Sequence, residues 1–334
     1  MEHLRYKEGY KSELSIKKNE IAIKEVRRFF ENALAKELHL IRVTAPLFVL
    51  SKTGINDDLN GDDVPVSFKS QGISRNIEIV HSLAKRKRLN ISKYGFDVHE
   101  GLYTNMNAIR KDEIRDNYHS MYVDQWDYEL IIEEEDRNLL FLKQIVKRIY
   151  KVILKTRDFT AENFNIRANM PSNITFITSE ELLKEYPGLA PEERVNAAIK
   201  KYGAMFVAQI GHKLSDGVPH DTRAPDYDDW DLNGDIFIYN EILDDAIEIS
   251  SMGIRVNRDS LLNQSKIAKK EENLTYYYQQ EIINNKLPLT LGGGIGQSRL
   301  CLLLLKKLHI GEVQCSMWEP ETYKFYKDKG VLIL

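Results

Sequence analysis

Across residues 17–38, apolar side chains recur every three or four positions, at Ile23, Val26, Phe30, Ala33, Leu34 and Leu38. That spacing predicts an amphipathic helix. Residues 41–49 follow as a β-branched, extended run. Pro46 in this run cannot donate to a ladder, so it is expected at a strand edge or a bend. Residues 53–63 combine turn formers with acids and read as a surface loop. Strands are expected at 77–80 and 120–128, where β-branched and aromatic residues concentrate. In the second of these, Val123, Gln125 and Asp127 share one face, with Asp124, Trp126 and Tyr128 on the other. A charged helix over 133–156 precedes strands at 206–210 and 235–239, a polar helical stretch at 259–286, and a last buried helix at 299–308. Helices and strands that segregate in this way predict an α+β fold with a mostly antiparallel central sheet flanked by helices. With no repeat, low-complexity tract or Pro/Gly/Ser linker to divide it, the chain reads as one domain over 1–334.

Charge and cysteine content narrow the classes of function. Lys plus Arg number 47 against 50 acidic residues, and the net charge of -3 does not suit wrapping a nucleic acid. Cys301 and Cys315 are the two cysteines, too few for a disulfide framework or a zinc ribbon, so a cytoplasmic location is expected. The amino terminus lacks the apolar core of a secretion signal. No stretch of about 18 apolar residues is present, so no membrane partner is expected.

Five segments can carry chemistry. The run 292–300, GGGIGQSRL, lacks the Gly-Lys-Ser/Thr of a P-loop and the third glycine of a dinucleotide loop. It is either a glycine-rich turn before a buried helix or a close backbone approach to a nucleotide, with Arg299 placed to hold a phosphate. The run 223–231, RAPDYDDWD, is a solvated acidic loop unless cations neutralise it, in which case it suits an ammonium-binding or metal-facing wall. In 245–255, strand alternation puts Ala246, Glu248 and Ser250 on one face. Glu248 with Asp235 then either suits a hydrated Mg²⁺ or pairs with an arginine. The cluster 81–88, HSLAKRKR, is a solvated cationic helix or sends one or two cations into a pocket. The segment 101–113 carries Arg110, a phosphate ligand or half of a structural ion pair.

Taken in order, VHSLAKRKR, EGLYTNMNAIR, YVDQWDYE, KLSDG, RAPDYDDW, LNGDI, EISSMGIR and GGGIGQSRL resemble the class II aminoacyl-tRNA synthetase core. The likeness is closest to asparagine synthetase A, the ammonia-dependent aspartate ligases, and runs to about Trp318. It implies an ATP-dependent enzyme that makes asparagine, AMP and pyrophosphate through a β-aspartyl-adenylate. Residues 17–49 would form the family's dimer-interface element, and hence a homodimer. The resemblance assigns Arg110 to the ATP α-phosphate and Arg299 to the γ-phosphate. It assigns Asp235 and Glu248 to Mg²⁺, with Ser120, Ser250, Ser251 and Gly294 beside the nucleotide. For aspartate it points to Asp57, Ser82, Lys87, Gln125, Asp127 and Asp228. Asp127 and Asp228 suit the substrate α-ammonium and Lys87 its α-carboxylate. Asp57, with Asp228 second, is expected to attract and deprotonate ammonium. An aspartyl- or asparaginyl-tRNA synthetase would add an anticodon-binding domain, for which a first helix near residue 17 is expected to leave no room.

Overall fold

The computed structural model describes residues 3–57, 59 and 63–334; positions 58 and 60–62 of the expected loop lie outside the described residues. In chain order the elements are α1 (Ile16–Leu38), β1 (Leu40–Arg42), β2 (Phe48–Leu50), β3 (Ser67–Phe68), β4 (Ile77–Ile79), α2 (Ala84–Tyr94), β5 (Gly101–Ile109) and β6 (Tyr122–Ile131). Then come α3 (Leu139–Phe164), β7 (Thr175–Thr178), α4 (Ser179–Glu185), α5 (Pro191–Tyr202), β8 (Ala204–Ala208), β9 (Asp228–Asn240) and β10 (Asp245–Arg255). The chain ends with α6 (Arg258–Ala268), α7 (Tyr277–Ile283), β11 (Thr290–Gly296), α8 (Gln297–Leu304) and α9 (Pro320–Lys327).

The main sheet has the order β1-β5-β6-β11-β10-β9-β8-β7. Its neighbours run antiparallel except for the outer pairs β1/β5 and β7/β8, which are parallel. A small sheet, β2-β4-β3, stands apart. The stripe of α1 puts Val26, Phe30 and Leu34 into the same core as Ile145 and Ile149 of α3, Leu300 and Leu302 of α8, and Trp126 and Tyr128 of β6. Each such side chain contributes roughly 1.5–3 kcal/mol by leaving water. On the opposite face α2 covers β5, β6 and β11, while α5 covers β8, β9 and β10. Between these two covers the middle of the sheet opens as a cleft. The expected faces of β6 are realised, since Trp126 and Tyr128 enter the core and Val123 and Gln125 line the cleft.

Several boundaries differ from the sequence expectation, each for a local reason. The stretch 41–49 divides into β1 and β2, which join different sheets with Pro46 between them. The helix expected from 133 begins at Leu139, because Asn138 caps it by accepting the Phe141 N–H at 3.0 Å. The stretch 259–286 breaks at Lys269, whose φ of 55° ends α6, and resumes as a 3₁₀ turn and α7. The buried helix near 300 is shorter than expected, ends at Leu304, and is followed by α9.

Near the carboxyl end, His309 is fully buried between the rings of Trp318 and Tyr326, with centroids at 4.6 and 4.5 Å. Its Nδ1 accepts the Gly311 N–H at 3.0 Å. Burial pushes its pKa down to about 4 from 6.5, against a weaker pull from Asp116. The unfolded chain therefore takes up this proton first, so the contribution is complete above about pH 6.5 and is lost as pH falls toward 4. The urea midpoint should drop between neutral pH and about pH 5, and drop less in His309→Asn, which keeps an acceptor but cannot titrate there. His220, also pushed down to about 4 by burial, acts in the same direction. Equal drops in the two proteins would remove His309 from the acid response.

Candidate active site

β11 lies between β6 and β10, with Gly292 in register with Glu129 on one side and Gly253 on the other. Arg255, at the end of β10, reaches across β11. Its Nε and Nη2 donate to Glu129 Oε1 and Oε2 at 3.0 and 2.8 Å, and its Nη1 donates to Asp228 Oδ1. A Cβ on Gly292 would stand 2.1 Å from Glu129 Oε2 and 2.4 Å from Arg255 Nη2. A Cβ on Gly294 would stand 2.4 Å from Gln125 Oε1. The turn expected at 292–296 is therefore part of a central strand. Its glycines are required because neighbouring side chains lie across it.

The same array corrects the readings of the basic and acidic runs as solvated. Lys85, Lys87 and Arg88 of α2 are all buried. Lys87 Nζ donates to Asp127 Oδ1, to Tyr128 O at 2.9 Å and to Gly293 O at 3.2 Å, which occupies its three protons. Arg88 donates to the carbonyls of Val256 and Pro288. Asp226, Asp228 and Asp229 are also buried, and each meets one cation: Lys85, Arg255 and Arg137 respectively. Burial pushes the Asp228 carboxyl up despite Arg255. For Glu129 burial acts the same way but the bidentate Arg255 outweighs it, and the carboxyl is held below its usual range. Burial pushes Lys87 down against the attraction of Asp127.

The cleft has a volume of about 480 Å³ and is lined by Arg110, Ser120, Gln125, Glu248, Ser251, Gly294 and Arg299 among others. Arg110 is loosely held: Nη2 is 3.5 Å from His81 O, Nη1 is 4.0 Å from Glu113, and its buried Nε has no partner. Arg299 Nη1 donates to Glu248 O at 3.1 Å and lies 3.7 Å from Glu248 Oε2. Both guanidiniums keep donors for an anionic ligand. Ser120 donates to Ser316 at 2.7 Å.

A bulge between Glu248 and Ser250 corrects the expected alternation on β10. Glu248 pairs with Phe237 and Ser251 with Asp235, so Glu248, Ser251 and Asp235 share the cleft face. Ser250 turns inward and is buried, and its hydroxyl has no partner. Asp235 Oδ2 accepts from Arg223, while Oδ1 is buried without a partner. Burial, aided by Glu248, pushes the Asp235 carboxyl up to about 7 despite Arg223. Burial alone would raise Glu248 too, but Arg299, Arg223, His119 and Arg110 together hold it below its usual range. An unpartnered carboxylate oxygen beside a second carboxylate fits Mg²⁺, which takes one or two protein carboxylates and leaves other positions for water and phosphate.

The aspartate candidates are divided. Gln125 lines the cleft, and Asp127 is two residues further along the same face of β6, within the buried array that also holds Lys87 and Asp228. Ser82 accepts the Ala84 N–H at 3.1 Å where α2 begins. Asp57, expected in an exposed loop, is buried and lines a second cavity instead of the cleft. Sequence reading missed Glu129 and Arg255, although each sits in strand phase with a polar candidate: Asp127 for one, Ser251 for the other. It also missed Arg27 of α1, which bonds Ser298 at 3.1 Å and pairs with Asp124 at 2.9 Å. No local signal marks that residue, because its partners are distant in sequence. Replacing Arg255 by Met should destabilise the protein by about 3–5 kcal/mol in urea, since Glu129 and Asp228 are left buried without their cation. An unchanged midpoint would show that the array is not structural.

Comparison with known proteins places this geometry. A family described as aspartate–ammonia ligase matches residues 17–330. A Clostridium perfringens (strain 13 / Type A) protein named aspartate–ammonia ligase is 52% identical over 336 residues, covering 100% of both chains. One of the same name from Fusobacterium nucleatum subsp. nucleatum is 52% identical over 98% of this chain and 100% of its own. Among solved structures, asparaginyl-tRNA synthetase of Entamoeba histolytica with asparaginyl-adenylate superposes with a TM-score of 0.63 at 17% identity, covering 90% of this chain and 66% of that one. The Pyrococcus horikoshii asparaginyl-tRNA synthetase with the same adenylate gives 0.64 at 15%, covering 89% and 68%. At such identities these structures share the fold alone, whereas the full-length likeness to the ligases is of a different order: the chain belongs to the aspartate–ammonia ligase family.

Proposed function

We propose that this chain makes asparagine from aspartate, ammonia and ATP in two steps, in the cleft and the buried array beside it. A β-carboxylate oxygen of aspartate attacks the ATP α-phosphorus, pyrophosphate leaves, and β-aspartyl-adenylate remains. The nitrogen of ammonia then attacks the β-acyl carbon, AMP leaves, and a proton passes to a carboxylate. The observation that carries this reading is the pair Arg110 and Arg299, two loosely held guanidiniums in one cleft with Glu248. Arg110 takes the α-phosphate and Arg299 the γ-phosphate, while Ser120, Ser251 and Gly294 line the nucleotide. Their preorganisation neutralises charge where it develops. Asp235 and Glu248 would hold Mg²⁺, which supplies further neutralisation of the phosphates when bound.

Gln125, Asp127 and Asp228 receive aspartate at the inner end of the cleft. Lys87, whose protons are taken by Asp127 and two carbonyls, fixes Asp127 and sits beside the substrate carboxylate. Asp57 accepts the ammonium proton from its buried place across the wall. The free thiols Cys301 and Cys315 accord with a reducing cytoplasm.

A second copy completes the particle. Ile41, Leu47, Phe48 and Phe68 are solvent-exposed around β1 and the small sheet, and the Phe48 and Phe68 rings meet edge to face at 5.9 Å. Light scattering should give twice the 38.8 kDa chain mass, and fall to that mass in Phe48→Glu. A parent that weighs one chain mass would remove the homodimer.

The deciding experiment incubates the protein with aspartate, MgATP and ammonium chloride, omitting each in turn. Asparagine and AMP should appear in equal amounts, dependent on ammonia and without tRNA. Arg110→Met should lower aspartate-dependent ATP–pyrophosphate exchange by roughly 10²–10³-fold. Asp57→Asn should keep exchange and lose asparagine formation. Exchange without asparagine in the parent protein would instead assign a tRNA synthetase half-reaction.

A further inference from the structure

The second cavity, about 220 Å³, lies apart from the nucleotide cleft, and none of the described residues lining it lines the cleft as well. Its lining includes Gly54, Asn56, Asp57, Lys85, Asp226 and Gln279. Asp226 and Gln279 are almost completely buried, at 3% and 1% exposure. Asp226 Oδ2 accepts from Lys85 Nζ at 2.7 Å and from Gln279 Nε2 at 2.6 Å. Its other oxygen, Oδ1, has no partner, and neither does Gln279 Oε1. The amide cannot be turned round to cure this, because its oxygen would then face a carboxylate oxygen. Gly54, with φ of +72°, closes the approach, and a Cβ there would stand 2.3 Å from Gln279 Oε1.

Two buried acceptors left without donors are costly, and a ligand rich in N–H donors relieves that cost. Glu78 and Asp57 add carboxylates to the lining against the ammonium groups of Lys52 and Lys85, so with Asp226 the cavity carries more negative than positive groups. A small cation with several donors fits this chemistry, while a phosphate or a carboxylate does not.

The chain also connects the cavity to the reaction. Asp226 lines the cavity, Tyr227 lines the nucleotide cleft and Asp228 enters the buried array, so three consecutive residues form the dividing wall. After burial itself, the charge of Asp57 is the strongest influence raising the Tyr227 pKa, followed by Asp228, which places Asp57 close to this wall.

We propose that this cavity is an ammonium vestibule separate from the nucleotide cleft, in which Asp226 Oδ1 and Gln279 Oε1 accept N–H bonds from NH₄⁺ before it passes Asp57. The inference rests on the ligase reading, with free ammonia as the nitrogen donor. ATP and aspartate can then fill the cleft while the second substrate arrives by its own opening.

Gln279→Met removes one acceptor together with the N–H that serves Asp226 Oδ2, and leaves the Lys85–Asp226 pair in place. The expected result is a rise of about tenfold in the KM for ammonium, the value of one charge-assisted hydrogen bond, with aspartate-dependent ATP–pyrophosphate exchange unchanged. Hydroxylamine, largely uncharged at neutral pH, should form the hydroxamate with an unaltered KM in the same variant. Gln279→Asn, which keeps an amide with both its acceptor and its donor on a shorter stem, should leave the ammonium KM nearer the parent value than Met does, and it carries the same ammonium-against-hydroxylamine comparison if the Met variant does not fold. An unchanged ammonium KM in Gln279→Met with exchange intact, or equal losses for ammonium and hydroxylamine, overturns the vestibule. Absence of asparagine synthesis in the parent protein overturns the ligase reading instead, so the two failures are distinguishable.

Discussion

One guanidinium crossing one strand organises the centre of this sheet. Arg255 extends from β10 over Gly292 of β11 to reach Glu129 on β6, and its third nitrogen reaches Asp228 at the start of β9. The bridge exists because β11 lacks a side chain at that point. A single Cβ at Gly292 would overlap both partners, so the glycine run and the ion pair are one feature. Buried ions of this kind gain little net stability over apolar replacements, yet removing one partner is expensive. Their value here is placement, for they fix the carboxylates of Glu129 and Asp228 within the buried array.

Around that bridge, the remaining buried carboxylates each meet a cation from another element. Lys87 serves Asp127, Lys85 serves Asp226, and Arg137 serves Asp229. Matching lets the five carboxylates of Asp127, Glu129, Asp226, Asp228 and Asp229 lie in a dry interior without mutual repulsion deciding the outcome. The cleft wall follows another rule. Arg110, Arg299 and Asp235 Oδ1 keep unused hydrogen-bonding capacity, unlike the matched groups of the array. The bulge in β10 brings Ser251 into line with Glu248 and Asp235. Without that extra residue, Ser250 would occupy the face and Ser251 would be buried.

What the sequence determined by itself was periodicity, type and family. The stripe of α1, the two faces of β6 and the antiparallel α+β class follow from local spacing, which the backbone obeys wherever one face is buried. The motif strings in order carried the family, and with it Arg110, Glu248, Gly294 and Arg299, all of which the fold brings to one cleft. Tertiary structure alone decided the rest. Whether 292–296 is a turn or a strand depends on side chains from β6 and β10 that no local window contains. Whether HSLAKRKR and RAPDYDDW meet water or buried partners depends on residues of other elements, 141 positions away for Lys85 and Asp226, because a charge is solvated or neutralised only by what the fold places beside it. A bulge changes the phase of every residue after it, and the burial of Asp57 depends on the cavity it lines. Short-range spacing sets which way a side chain points along its own element; long-range packing sets what it meets there.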